Sequence, residues 1–347
     1  MEHYATKIIA CCITLGICLI LPIGGLIFYA QKHRGEGIVS AWIVGALGFF
    51  VPQMLIRLPI LTALSANAGF LSWTQKHLLL YTLGLALTAG LFELAGRCAG
   101  AGLLRKNLTF PRALAAGLGH GGIEAILLIG LTYINNLVYL FLLQSGGFDA
   151  LTAQAAAAGA DTAQLTAAAA ALKSTSAGLF LLAGLERVLT MVCQTCMTTM
   201  VFYGFRKKDS RWILGCLGIH FLLDSLTGIP QFLSSQALTY SLVYLVLAVM
   251  AALCLWILKK ISLAWREEPN HVQRTLLRLY PASRTHRACA MEHKSPDCLS
   301  VGCAVHPRAS GTDTGSVPAS DRKAGKGPGE KQKNQQRCHL DHSRIVQ

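Results

Sequence analysis

Ala113-Leu-Ala-Ala-Gly-Leu-Gly-His120-Gly-Gly-Ile-Glu124-Ala-Ile-Leu-Leu-Ile-Gly-Leu131 is the stretch that decides how this chain is read. It lies in an apolar block, 113–143, longer than the roughly 20 residues a helix needs to cross a ~30 Å hydrocarbon core. A histidine and a carboxylate are costly to bury there, and the usual reason for them is a transport pathway, a proton relay or a metal site. Their four-residue spacing puts both side chains on one helical face, one turn apart.

Six further blocks have the same apolar character: 8–30, 38–63, 77–100, 177–203, 211–232 and 238–261. With 53% hydrophobic and only 14% charged residues, the expected fold is all-α, a polytopic transmembrane helical bundle of about seven spans. The first block is too long and its flank too mixed in charge (Glu2, Lys7) for an obvious signal peptide. The net charge of +14 sits in short loops: Lys32 and Arg34; Arg105, Lys106 and Arg112; Arg206, Lys207, Lys208 and Arg211; Lys259 and Lys260. Loops between them carry few basic residues, such as Lys76 and Lys173. The positive-inside rule then puts the N-terminus outside and the C-terminus in the cytoplasm. The charge serves orientation and lipid contact, so no nucleic-acid partner is expected.

Cys11, Cys12, Cys18, Cys98, Cys193, Cys196, Cys216 and Cys254 fall inside apolar blocks, where cysteine acts as a small hydrophobe and implies no disulfide framework. The lone Cys193-x-x-Cys196 pair reads as packing. Two segments stand apart from the bundle, which is assigned to residues 1–263. The alanine-rich stretch 146–176 is too polar to span, and alanine favours helix, so an outside helical hairpin is expected. Residues 264–347 are basic, rich in Ser, Pro and Gly, and without apolar periodicity, which reads as a disordered cytoplasmic tail attracted to anionic lipid. Its Cys298, Cys303, His306, Cys338, His339 and His342 match no ordinary zinc-finger spacing.

The polar residues inside the blocks carry the functional reading. Gln53 and Arg57 lie in the second block between Pro52 and Pro59, Glu93 and Arg97 in the third, His120 and Glu124 in the fourth. Glu186, Arg187 and Gln194 lie in the fifth, His220 and Asp224 in the sixth. The first and seventh blocks hold almost none and read as lipid-facing support. At ~1.5 Å rise per residue, the polar groups fall at overlapping depths and can converge on one pocket. Glu93 and Arg97 form an i,i+4 pair. Glu186 and Arg187, being adjacent, point apart, and Arg97 or Arg57 is the expected partner of Glu186. Two His-x-x-x-acid pairs at matched depth point to His120 and His220 as metal ligands. The glycines around His120 let a neighbouring helix come close. Two imidazoles and a carboxylate suit zinc with an open position for water.

Gly117-Leu-Gly-His-Gly-Gly-Ile-Glu-Ala-Ile-Leu127 resembles the hallmark of the YhfC-type intramembrane metalloproteases, relatives of the CAAX prenyl protease and bacteriocin-processing group. Gln53-x-x-x-Arg57-x-Pro59, Glu93-x-x-Gly96-Arg97, Glu186-Arg187 and His220-x-x-x-Asp224 are similar to further motifs of that family, over roughly residues 1–262. The resemblance implies a zinc-dependent endopeptidase of the bacterial cytoplasmic membrane, acting on a peptide or membrane-protein substrate among membrane lipids. The residues alone imply only a buried polar, metal-binding site. On this reading His120 and His220 bind zinc, Asp224 is a third ligand or supports one, and Glu124 or Glu186 is the general base. Arg187 and Arg97 orient carboxylates or stabilise the oxyanion, and Glu93, Gln194 and Arg57 support the site. Gln194 departs from the family, which the resemblance expects to carry a histidine there. A non-catalytic membrane scaffold is therefore one alternative, and a proton-coupled transporter is another, resting on the same buried ionisable groups.

Overall fold

A computed structural model describes residues 4–267; the tail residues beyond, with the cysteines and histidines named above, lie outside the described part. Every regular element described is helical. Helix α1 is Tyr4–Lys32, and α2, Ile38–Phe49, runs through a π-helical stretch, Phe50–Arg57, into α3, Leu58–Ser65. A short α4, Ala68–Lys76, leads to α5, Leu78–Leu103. Helix α6, Phe110–Glu124, is likewise prolonged by a π-helical stretch, Ala125–Gly130, into α7, Leu131–Ser145. The alanine-rich stretch forms two helices, α8 (Phe148–Ala157) and α9 (Ala163–Ser174), and α10 follows at Ala177–Lys207. Last come α11, Ser210–Gly228, and α12, Gln236–Arg266.

Six of these segments are long and apolar enough to cross a membrane: 4–32, 38–65, 78–103, 110–145, 177–207 and 236–266. The chain is a polytopic helical membrane protein. The block expected at 211–232 yields a helix of 19 residues that is not among the six. Arg211, His220 and Asp224 dilute its apolar character, and it is held by α5, α10 and α12.

Helix α6 lies against α1, α2 and α10, and its glycines explain how. A Cβ on Gly119 would stand 2.0 Å from the Trp42 carbonyl oxygen of α2. One on Gly117 would meet Thr195 of α10 at 2.7 Å, and one on Gly122 would meet Pro22 of α1 at 2.6 Å. The contact is reciprocal, since a Cβ on Gly45 of α2 would stand 1.8 Å from the Ala116 carbonyl oxygen. With no hydrophobic force between helices in lipid, such backbone-to-backbone packing supplies the association. The other flank of α2 meets α5 the same way, Gly96 facing Gly48.

Helix α1 is more than lipid-facing support. Lys7 is buried, and its ammonium donates to the carbonyls of Leu172 (3.1 Å) and Lys173 (2.8 Å) in the last turn of α9. Those carbonyls have no partner within their own helix and sit at the negative end of its dipole. Thr14 Oγ1 donates to the Phe180 carbonyl at 2.6 Å, where α10 begins.

The glycine contacts make a direct prediction. Gly45→Ala should lower stability by about 1–3 kcal/mol through overpacking. Gly84→Ala, where a Cβ meets nothing within 4 Å, should leave stability unchanged or raised. Thermal unfolding of both variants in detergent checks this.

Candidate active site

The site is assembled around the carboxylate of Glu93 on α5. Its Oε2 accepts from Arg97 Nη2 at 2.8 Å, His220 Nε2 at 2.9 Å, His120 Nε2 at 3.0 Å and Gln194 Nε2 at 3.3 Å. Its Oε1 accepts from Gln53 Nε2 at 2.7 Å. Five side chains from five helical segments thus close on one buried carboxylate. The i,i+4 pairing of Glu93 with Arg97 is present, but it serves a wider cluster than a simple helix-surface pair.

Local backbone features aim these groups. Pro52 has no N–H to give and clashes with the carbonyl four residues back, so the helix widens, and Leu58 N–H reaches five residues back to Gln53. Single π turns of this kind are frequent at functional sites. Here the widened turn faces Gln53 and Arg57 towards α5: Arg57 donates to Gln53 Oε1 (3.3 Å), Thr88 Oγ1 (3.3 Å) and the Leu85 carbonyl (2.9 Å). The second π stretch starts directly after Glu124, and nothing in its own sequence explains it.

Gln194 occupies the middle of the cluster. Its amide nitrogen donates to Glu93 Oε2 and, at 2.5 Å, to Glu124 Oε2, while its Oε1 accepts from Arg97 Nη2. One neutral side chain therefore bridges two carboxylates and meets the arginine that neutralises one of them. Arg187 holds the other flank: Nη1 donates to Glu124 Oε1 at 3.2 Å and Nη2 to Glu186 Oε1. The expectation that Glu186 would need Arg97 or Arg57 is corrected here. The arginine side chain is long enough to curl back beside its sequence neighbour, so adjacency does not separate the two charges.

His120 and His220 do come together, as expected, and both turn Nε2 to Glu93. Asp224 does not join them on that side. Its Oδ2 faces the opposite ring nitrogen, Nδ1 of His220, at 3.3 Å. Among the described residues no group of three or more His, Cys, Asp or Glu side chains is set out as a metal site; the imidazoles close on Glu93 itself. Cys193 and Cys196 are buried, unbridged thiols.

A cavity of about 900 Å³ opens onto this cluster. Its polar lining includes Gln53, Arg57, Glu93, Glu124, Glu186, Arg187, Gln194, His220 and Asp224, while Met54, Leu58, Leu128, Val243, Tyr244 and Leu247 supply apolar wall. His120 is fully enclosed behind it. Helix α12, expected only as support, is thus a wall of the cavity. The central role of Glu93 was not visible in the sequence, because it depends on how α5 is rotated against α6 and α11. A hint existed in Gln53, an amide inside an apolar block.

The family model described as "YhfC intramembrane metalloprotease" matches residues 17–259. The chain belongs to this family. It is 29% identical over 248 residues to an uncharacterized membrane protein, YhfC, of Bacillus subtilis (strain 168), which covers 70% of this chain and 92% of the relative. No solved structure matches. The family description carries a metal, and the matched region contains every residue of the Glu93 cluster.

The cluster predicts a coupled stability effect. Arg97→Met strands a buried carboxylate and the Gln194 carbonyl, and should cost about 3–5 kcal/mol. The double variant Glu93→Gln/Arg97→Met should recover part of that loss. A double-mutant cycle from unfolding in detergent measures the coupling.

Proposed function

We propose that this chain is a zinc-dependent endopeptidase of a bacterial cytoplasmic membrane, cutting a peptide within or beside the bilayer. The observation that carries this reading is the meeting of two imidazoles and one carboxylate at a cavity inside a membrane bundle. The donor types are those of a known catalytic zinc set, two histidines and a glutamate, and an ion would take the place of the hydrogen bonds that now join the two imidazoles to Glu93. His120, His220 and Glu93 would hold the ion. Asp224, behind His220, would fix the ring and its tautomer, as carboxylates commonly do for metal-binding imidazoles. Bound zinc supplies a Lewis acid and a water made nucleophilic at neutral pH.

The chain's own residues supply the rest. Glu124 and Glu186 both line the cavity and are the carboxylates that take and return the proton. Arg187 bridges them, which offsets part of the repulsion between two acids held side by side. Gln194 fixes the spacing of Glu124 from Glu93. A peptide backbone in hydrocarbon keeps its hydrogen bonds internal, so a scissile bond needs polar partners before it can unwind. The cavity offers that polar floor within apolar walls.

The saturation of Glu93 by five donors favours a second reading, a non-catalytic scaffold in which the cluster only ties helices together. The two differ in outcome. On the peptidase reading, full-length protein retains stoichiometric zinc that His120→Ala/His220→Ala loses by elemental analysis, even though the tail cysteines and histidines remain. Glu124→Gln should then lower cleavage of membrane-peptide substrates in proteoliposomes by about 10²–10⁴-fold. Equal zinc in both proteins and no cleavage would leave the scaffold.

A further inference from the structure

Among the described residues, Arg57 is the cavity arginine that touches no carboxylate directly; Glu93 and Asp224 act on its charge from a distance. Glu93 is paired with Arg97, Glu124 and Glu186 with Arg187, and Asp224 faces His220. Arg57 lines the same cavity, half-buried. Among the described residues its hydrogen bonds go only to neutral acceptors: Thr88 Oγ1 from Nε, Gln53 Oε1 from Nη1 and the Leu85 carbonyl from Nη2. A guanidinium has five N–H donors. These three bonds leave one N–H on each terminal nitrogen to meet an anion in charge-assisted hydrogen bonds. The neutral bonds also lock the side chain in place, so little freedom remains to be lost when an anion arrives. An arginine with no carboxylate in direct contact is costly in a membrane-spanning segment, and an ionisable residue there marks a functional site by default.

We propose that Arg57 is the substrate-recognition residue of this cavity and receives a carboxylate of the peptide, either an acidic side chain or the chain's C-terminal carboxylate. The proposal rests on the peptidase reading above for its link to a cut bond. Position sets the spacing. Arg57 is anchored to Thr88, just over one turn before Glu93 on α5, and is linked to Glu93 through Gln53, an offset of about 7–8 Å at ~1.5 Å per residue. An extended peptide covers ~3.3–3.6 Å per residue. The recognised carboxylate therefore lies two to three residues from the bond that is cut.

The test uses full-length protein in proteoliposomes and a set of apolar peptides, each with Glu or Gln at one defined position, and each with a free or amidated C-terminus. Cleavage sites come from mass spectrometry, and binding is measured in parallel by equilibrium titration of fluorescent versions. The wild type should prefer Glu over Gln by about tenfold, the size of one good charge-assisted contact, at a position two or three residues from the cut. A preference for the free over the amidated end identifies the C-terminal carboxylate as the source. Arg57→Gln should reduce the Glu/Gln ratio to near one, and Arg57→Lys should restore part of it; a ratio is insensitive to a general loss of folded protein. If no peptide is cut while the Glu/Gln binding ratio still depends on Arg57, the peptidase reading fails and the carboxylate site stands. If neither cleavage nor binding distinguishes Glu from Gln, or the preference survives in Arg57→Gln, the proposal is overturned.

Discussion

Placing a carboxylate at the centre of a membrane bundle is among the more expensive things a chain can do, and Glu93 is where this chain does it. An isolated buried charge would be uncompensated; removing one partner of a buried pair typically costs several kcal/mol. Here Arg97 supplies the opposite charge from one turn away, and His120, His220, Gln194 and Gln53 supply the remaining donors. Each comes from a different segment, so satisfying this one group dictates the relative rotation of the helices around it. The glycine contacts of α2 with α5 and α6 follow from the same requirement: the donors reach Glu93 only if the backbones almost touch.

The class of fold and the elements that meet were legible from the sequence because hydrocarbon imposes a simple rule: long apolar blocks become helices, and polar residues within them turn inward. The gathering of His120, Glu124, Glu186, Arg187, Gln194, His220 and Asp224 was foreseeable on that basis. What each touches was not. Asp224 reads as a potential ligand from its spacing to His220, but the same spacing also permits contact with the far ring nitrogen, and only three-dimensional packing chooses between them. Glu93 and Arg97 satisfy a local rule so neatly that the longer-range role of Glu93 is hidden. Arg187 reaching its own neighbour Glu186 shows the limit of reasoning from backbone direction alone for a long, flexible side chain.

Gln194 has a defined physical role whatever the chemistry. As a neutral side chain with both a donor and an acceptor end, it can face Glu93 and Glu124 with its amide nitrogen and Arg97 with its oxygen. A carboxylate there would repel two others, and an apolar residue would leave all three groups short of partners. An imidazole could meet the carboxylates but would give up the acceptor for Arg97 or one of its donors. Glutamine suits this position because its two ends differ.

The bond from Lys7 to the end of α9 has a bearing on how the molecule is made. Its partners lie 165 and 166 residues further along the chain, and Thr14 waits for Phe180 across a similar gap. A ribosome delivers these residues in order. The first helix therefore enters the membrane with its ammonium and hydroxyl facing groups that do not yet exist. It finds its final seat only after some 165 further residues have been synthesised, so α1 enters the membrane well before the helix end it docks against.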